Sequence, residues 1–406
     1  MLRRCLSVVF CLFLWSCAST SPESAGEAQP PEPDPFPFPD RLEPQVAFWR
    51  NVYGVWSRGQ TALHDDRYMN LVYEVLDLPG HSDLELGYTP EQRRYVRSRR
   101  KQLGEDLASL ERKVLEGGLY TPREQALAEL IVEQVGPGAI LGASERLRSQ
   151  RGLKERFLRG LEISGRYDGL FRQIFRDAGL PEDLAYLPHV ESSFQLHAHS
   201  SAGAVGVWQF TKGAARTYMR HFPKLDERRD PVASARGAAR YLDDAHDQLE
   251  DWALALTSYN HGIGGMKRAR REFGTDFASI VESYDGPRFG FSSRNFYASF
   301  LAAREVAREP ERFFPEGVAY DPPLDWDRVI LPGSVRATEL ARYYEVSHRQ
   351  LTALNPAWTR RIREGRVAVP AGTEIWLPNN TLLLLAKKGM DDRQLAFADD
   401  EERLTQ

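Results

Sequence analysis

After Asp230-Pro231, small side chains recur at spacings of three and four: Ala235, Ala238, Ala239, Leu242 and Ala245, closing on Leu249. Such a run is one face of an amphipathic helix, and its alanines let a neighbouring helix approach closely. The same pattern type surrounds it. Charged helical stretches are expected over about 90–117, 123–135 and 143–163, separated by the breakers Gly117-Gly118 and Gly136-Pro137-Gly138. No strand-like alternation of any length occurs between 45 and about 310, so this part is expected to be all α.

The composition then shifts. Beyond Phe313-Phe314-Pro315 and Asp321-Pro322-Pro323 come a β-like run at 328–331, helical patterns at 338–344 and 347–354, Asn355-Pro356, and a second β-like run at 374–377. Strand, helix, helix, strand over 326–380 predicts a small α+β module, followed by a loose acidic tail at 391–406. Leu382 to Leu385 is an apolar run expected to pack against a neighbour. The chain is expected to be mostly α, with a helical region at 45–150 and a further helical domain at 151–310.

The chain's start reads as a targeting segment. Arg3 and Arg4 precede an apolar run, Leu6 to Trp15, suited to a signal-peptide core and too short to span a bilayer. Leu14-Trp15-Ser16-Cys17 resembles a bacterial lipobox, which implies a signal peptide at 1–16, lipid on Cys17 and attachment to a membrane through it. Ala18 follows the cysteine rather than an aspartate, which by the same resemblance favours an outer-membrane lipoprotein facing the periplasm. All three cysteines, Cys5, Cys11 and Cys17, lie in this leader, so a processed chain has no internal disulfide. Six prolines from Pro30 to Pro39 bias 17–44 toward an extended tether. The net charge of −4 gives no sign of nucleic-acid binding.

The chemistry concentrates between Leu187 and Phe210. One carboxylate, Glu191, sits among apolar and hydroxyl side chains, followed by Gly203, Gly206, Trp208 and Gln209. An acid in a poorly hydrated cleft has its pKa raised and can donate a proton near neutral pH. Cleavage of a glycosidic bond needs such a donor, because the leaving oxygen must be protonated as the bond breaks. Glu182 and Asp183 read as helix-start residues after Pro181. Asp226, Glu227 and Asp230 remain open as a second acid. His189, His197 and His199 crowd the motif, but an i, i+2 pair without cysteine or a helical His-Glu-x-x-His is a poor zinc pattern, and no metal or cofactor is expected.

These residues resemble the lytic transglycosylases with a soluble-lytic-transglycosylase domain. The family's glutamate–serine motif falls on Glu191-Ser192, its later serine on Ser200, its glycine–apolar–glutamine block on Gly206-Val207-Trp208-Gln209, and its tyrosine–asparagine motif on Tyr259-Asn260. Ser258 stands where the family often has alanine. The resemblance implies a goose-lysozyme-like helical domain that cuts the β-1,4 bond between N-acetylmuramic acid and N-acetylglucosamine in peptidoglycan without water, leaving 1,6-anhydro ends. It implies Glu191 as the catalytic acid and then base, with Ser192, Ser200, Trp208, Gln209, Tyr259 and Asn260 as substrate-binding residues. The 326–380 module resembles a divergent LysM domain, a glycan binder, although Gly333-Ser-Val-Arg336 replaces the usual glycine–aspartate–threonine start. Two rivals stay open: a lysozyme-type hydrolase, which needs a second positioned acid, and a non-catalytic peptidoglycan-binding lipoprotein.

Overall fold

The computed structural model describes residues 34–80, 87–221 and 224–389; the expected signal peptide, Cys17 and the tail at 391–406 lie outside them. The N-terminal elements are α1 (Glu43–Gly54), β1 (Gln60–Asp65), β2 (Val72–Asp77), α2 (Pro90–Glu116), α3 (Pro122–Gln134), α4 (Ala143–Arg146) and β3 (Leu147–Arg151). A run of helices follows: α5 (Lys154–Ser164), α6 (Asp168–Asp177), α7 (Leu187–Glu191), α8 (Lys212–Tyr218), α9 (Pro231–Leu249) and α10 (Trp252–His261). It continues through α11 (Ile263–Phe273), α12 (Phe277–Ser283), α13 (Phe291–Arg294) and α14 (Phe296–Arg308). The last group is β4 (Asp327–Ile330), α15 (Ala337–Tyr343), α16 (His348–Leu354), α17 (Arg360–Arg363), β5 (Glu374–Leu377) and α18 (Thr381–Lys387).

Helices begin where a side chain can satisfy their orphan amide groups. Thr89 with Gln92 and Thr121 with Glu124 form capping boxes, each with proline in the first turn, and Asp230 accepts from the amides of Val232 and Ala233. On α9 the expected small-residue face is fully buried, against α10, α11 and α6. The resulting core holds Phe171, Phe175, Trp208, Leu242, Leu254 and Phe300.

Three sequence expectations are corrected here. The 45–150 region is not purely helical. β1 pairs antiparallel with β2 and β3 in the order β2-β1-β3, aligning Thr61 with Leu76 on one side and Arg151 on the other. β1 escapes period-two detection because both its faces are covered: Ala62 joins the helical-domain core while Leu63 joins a separate cluster with Leu103, Leu107 and Ile131. The helix expected over 143–163 is split as well, because its charged pattern hides β3, which completes the sheet between α4 and α5. The tether also ends earlier than expected. Phe36 is buried edge-on between Trp252 and Phe300, and Tyr297 donates to the Pro37 carbonyl at 2.7 Å. Proline-rich composition sets backbone stiffness; it does not prevent an intervening aromatic from docking.

α1 belongs to the helical-domain core through Val46, Phe48 and Val52 and packs along α14, so the hydrophobic clusters do not divide at residue 150. The C-terminal module has its own core of Leu331, Leu340, Leu351, Ile375 and Leu385 around the antiparallel pair β4–β5. Asn355 braces it, donating to the carbonyls of Leu351 and Trp376 and accepting from the Trp376 amide. Among the described residues no helix is long and apolar enough to cross a membrane.

Candidate active site

α7 is five residues long and ends on Glu191. The chain then reverses sharply: the amides of Ser192 and Phe194 both donate to the Pro188 carbonyl, at 3.0 and 3.3 Å. Ser193 and Phe194 hold φ of 51° and 57°, a left-handed pair that costs each residue about 1–2 kcal/mol. Packing holds them there. Phe194 is buried against His189, with ring centroids 4.6 Å apart, and stacks at 6.1 Å from Phe171. Gly160 of α5 allows the approach, since a Cβ there would sit 2.9 Å from the Ser193 carbonyl oxygen.

The turn leaves the Glu191 carboxyl half-buried, and among the described residues no hydrogen bond or ion pair reaches it. Removing water without supplying a donor penalises the charged form, and burial alone pushes the carboxyl up to about 8. Tyr53 of α1 and Tyr259 of α10 lie within its field: burial, and then the Glu191 charge, raise the Tyr259 phenol, and the same charge adds to Tyr53. Tyr53 gave no signal in the sequence, because α1 lies well over a hundred residues before the motif and only packing brings it there.

The segment from 198 to 210 forms a looped wall beside this acid. Gly203 and Gly206 adopt φ of 77° and 81°, and a Cβ on Gly206 would lie 2.1 Å from the Arg228 carbonyl oxygen, so only glycine fits. Gln209, itself left-handed at φ 48°, donates through Nε2 to the carbonyls of Gly206 at 2.7 Å and Ala198 at 3.3 Å. The Ser200 hydroxyl accepts from the Ala204 amide at 3.0 Å. Arg228, buried and unremarked in the sequence, donates to the carbonyls of Gly203 and Phe210 and is neutralised by Asp226.

Two bonds tie this wall to the acid's surroundings. Ser192 Oγ donates to the Val207 carbonyl at 2.8 Å, and Tyr259 Oη donates to the Trp208 carbonyl at 2.8 Å. Glu191, Ser200, Gln209, Tyr259 and Asn260 all keep exposed surface. Ser192 and Trp208 do not: Ser192 is 3% exposed and Trp208 is fully buried between Phe171 and Phe175. Their expected substrate contact is corrected to a structural role, because an apolar run followed by a turn drives the indole into the core. Asn260 accepts from Ser293 Oγ at 2.8 Å. Ser258 is satisfied, donating to the Ala255 carbonyl at 2.7 Å.

The other acids are engaged elsewhere. Asp183 pairs with Arg304 at 2.7 Å and Arg172 at 3.2 Å, and Glu182 pairs with Arg176. Asp230 caps α9 and accepts from Trp376 Nε1 at 2.9 Å, which seats the C-terminal module on the start of that helix. Glu227 is lifted to about 7 by burial and then by Asp230, but it neighbours Arg220, Arg236 and Arg240 and does not perturb Glu191. His189 is held down to about 3 by burial against Phe157, and His199 approaches Arg229. Among the described residues no group of three His, Cys, Asp or Glu side chains is placed to hold a metal ion.

The short helix ending on an unpaired, water-poor acid lies in a stretch that is similar to known proteins. The family model of the transglycosylase SLT domain matches residues 172–279. The chain is similar to the membrane-bound lytic murein transglycosylase D of Escherichia coli (strain K12), 28% identical over 183 residues that cover 43% of this chain and 39% of that protein. It is also similar to the putative tributyltin chloride resistance protein of Alteromonas sp. (strain M-1), 35% identical over 92 residues, 22% of this chain and 44% of the relative. The chain thus spans less than half the length of either relative. A solved lytic transglycosylase Slt, an inactive mutant from Pseudomonas aeruginosa, overlaps 37% of this chain and 24% of its own at 19% identity and a TM-score of 0.29, too slight a likeness to compare sites.

Proposed function

We propose that this protein is a peptidoglycan lytic transglycosylase in which Glu191 alone carries the proton transfers. The observation that carries the reading is the carboxyl itself: half-buried, unpaired among the described residues, and pushed up to about 8 by burial, within the stretch that the transglycosylase SLT model matches. The protonated Glu191 donates to the bridging oxygen between the muramyl C1 and the next glucosaminyl C4, and the C1–O bond breaks with its electron pair leaving on that oxygen. Glu191, now a carboxylate, takes the proton from the O6 hydroxyl of the same muramyl residue as O6 bonds to C1. The sugar closes as a 1,6-anhydride, Glu191 is again protonated, and no water is consumed.

A hydrolase would need a second carboxylate to stabilise the cation or activate water. The pairing of Asp183 and Asp226 with arginines and the capping role of Asp230 favour the single-acid course. Ser200, Gln209, Tyr259 and Asn260 are assigned to positioning the glycan, Tyr259 by holding the Trp208–Gln209 peptide against the acid. The βααβ module is assigned as a LysM-like glycan binder, and lipid on Cys17 would hold the protein on the periplasmic face of the outer membrane.

The test is a digest of purified sacculi by the wild type beside Glu191→Gln, read by mass spectrometry. The reading expects muropeptides one water lighter than hydrolytic products from the wild type and none from the variant. Ordinary reducing ends, or undiminished release by the variant, would end it.

A further inference from the structure

A cavity of about 390 Å³ opens beside Asn260 and is lined by Arg148, His261, Arg288, Phe291 and Ser292 among others. Among the described residues no Asp or Glu lines it. Asn260, assigned above to positioning the glycan, follows Tyr259 on α10. Only Asn260 and His261 of its lining fall within the matched residues 172–279; the rest comes from outside them. Arg148 sits on β3, the edge strand of the N-terminal sheet, and its guanidinium lies 4.1 Å over the Phe291 ring.

The charge pattern here is unlike that of the neighbouring surface. Arg146 pairs with Asp65, Arg294 pairs with Asp285 at 3.2 Å, and Arg67 pairs with the same Asp285 at 3.5 Å. Arg148 and Arg288 are exposed, and among the described residues neither makes an ion pair. Asp66 lines the adjoining larger cavity and feels the Arg148 charge, yet it does not contact Arg148. Asn260 adds a neutral donor: its Oδ1 is held by Ser293, and its Nδ2 has no partner among the described residues. His261 is kept toward its neutral form, first by burial and then by Arg268.

Two guanidiniums that make no ion pair among the described residues, one of them over an aromatic ring, and an amide NH₂ form a receptor for a carboxylate. Arginine forks match that group bidentately. We propose that this cavity is a carboxylate subsite, taking the acid on the substituent at O3 of the muramyl sugar. The acid is either the lactyl carboxylate of a peptide-free strand or a carboxylate of the stem peptide. The N-terminal sheet thereby becomes part of the substrate cleft rather than a remote scaffold. The inference rests on the peptidoglycan reading above and deepens it.

The test uses the full chain carrying Glu191→Gln, titrated calorimetrically with tetrasaccharide glycan fragments in three forms. One bears stem peptides with free carboxylates, one the same peptides with their carboxylates amidated, and one is peptide-free with its lactyl acid. At least one free-acid form should bind roughly tenfold more tightly than the amidated one, and the tighter of the two names the source. Adding Arg148→Gln and Arg288→Gln should bring that ratio close to one, with the far-ultraviolet circular dichroism unaltered. Equal affinity for all three forms, or a ratio that survives both substitutions, overturns the subsite. If the wild type released no anhydro products, the reaction would be misassigned while the affinity ratio would still decide this proposal.

Discussion

Glu191→Gln should make the protein more stable while removing its turnover. The folded carboxyl is held up at about 8 against an ordinary 4.5. Below pH 4.5 the group is protonated whether folded or not, so it contributes no difference. Between 4.5 and 8 the unfolded chain ionises while the folded chain keeps its proton. Wild-type stability therefore falls as pH rises through this window, by at most ~1.4 kcal/mol per unit, and levels off above about 8. At pH 7 that gives an upper bound near ~3 kcal/mol, and the surface Glu191 retains reduces it to about 1–3 kcal/mol. Glutamine has the same shape and cannot ionise, so it avoids the penalty. Denaturant unfolding of both proteins at pH 4.5, 7 and 8.5 should show curves that coincide at the lowest pH and separate upward. Turnover on sacculi should drop by at least ~10³, since in the proposed course one group supplies both acid and base. Stability curves that stay parallel across the whole range would refute the water-poor environment on which the mechanism depends.

The wild-type rate should carry an alkaline limb near pH 8, because the first step needs the protonated acid; a limb near 5 in a pH–rate profile would contradict the raised carboxyl. Tyr259→Phe strands the Trp208 carbonyl and should cost about 1–2 kcal/mol in unfolding experiments, together with a loss of kcat larger than any rise in KM. Gly206→Ala should cost more than ~3 kcal/mol or prevent folding, since its Cβ meets the Arg228 carbonyl oxygen at 2.1 Å and φ is 81°; a variant with native melting behaviour would mean the loop is free to shift. Arg228→Met should loosen the same loop by about 2–4 kcal/mol, seen as faster amide exchange at Gly203–Phe210.

Much of this architecture was open to direct reading from the amino acids, for reasons visible in single elements. α9 could be read because its small residues repeat along one face that is buried for its whole length. α2 and α3 could be read because proline and a capping threonine mark their starts. Strands β4 and β5 could be read because short β-branched and aromatic runs lie between turn residues. β1 was not, because a strand covered on both faces has no alternation to detect, and β3 was absorbed into a charged helical pattern. At the site, sequence pattern marks Glu191, Ser200, Gln209, Tyr259 and Asn260 as candidates. It does not separate side chains that face the cleft from those that brace it, and Ser192 and Trp208 turned out to be the latter.

Local chemistry written along the chain determined which residue types are available, where helices start and stop, and which acid stands among apolar neighbours. Tertiary packing alone decided that this acid has no partner among the described residues, that Tyr53 from a distant helix shares its field, and that Arg228 holds the 198–210 wall. It also decided that a strand of the N-terminal sheet brings Arg148 beside Asn260. The physical reason is that periodicity and capping act over a few residues, whereas desolvation and electrostatic fields depend on every atom that folding brings near.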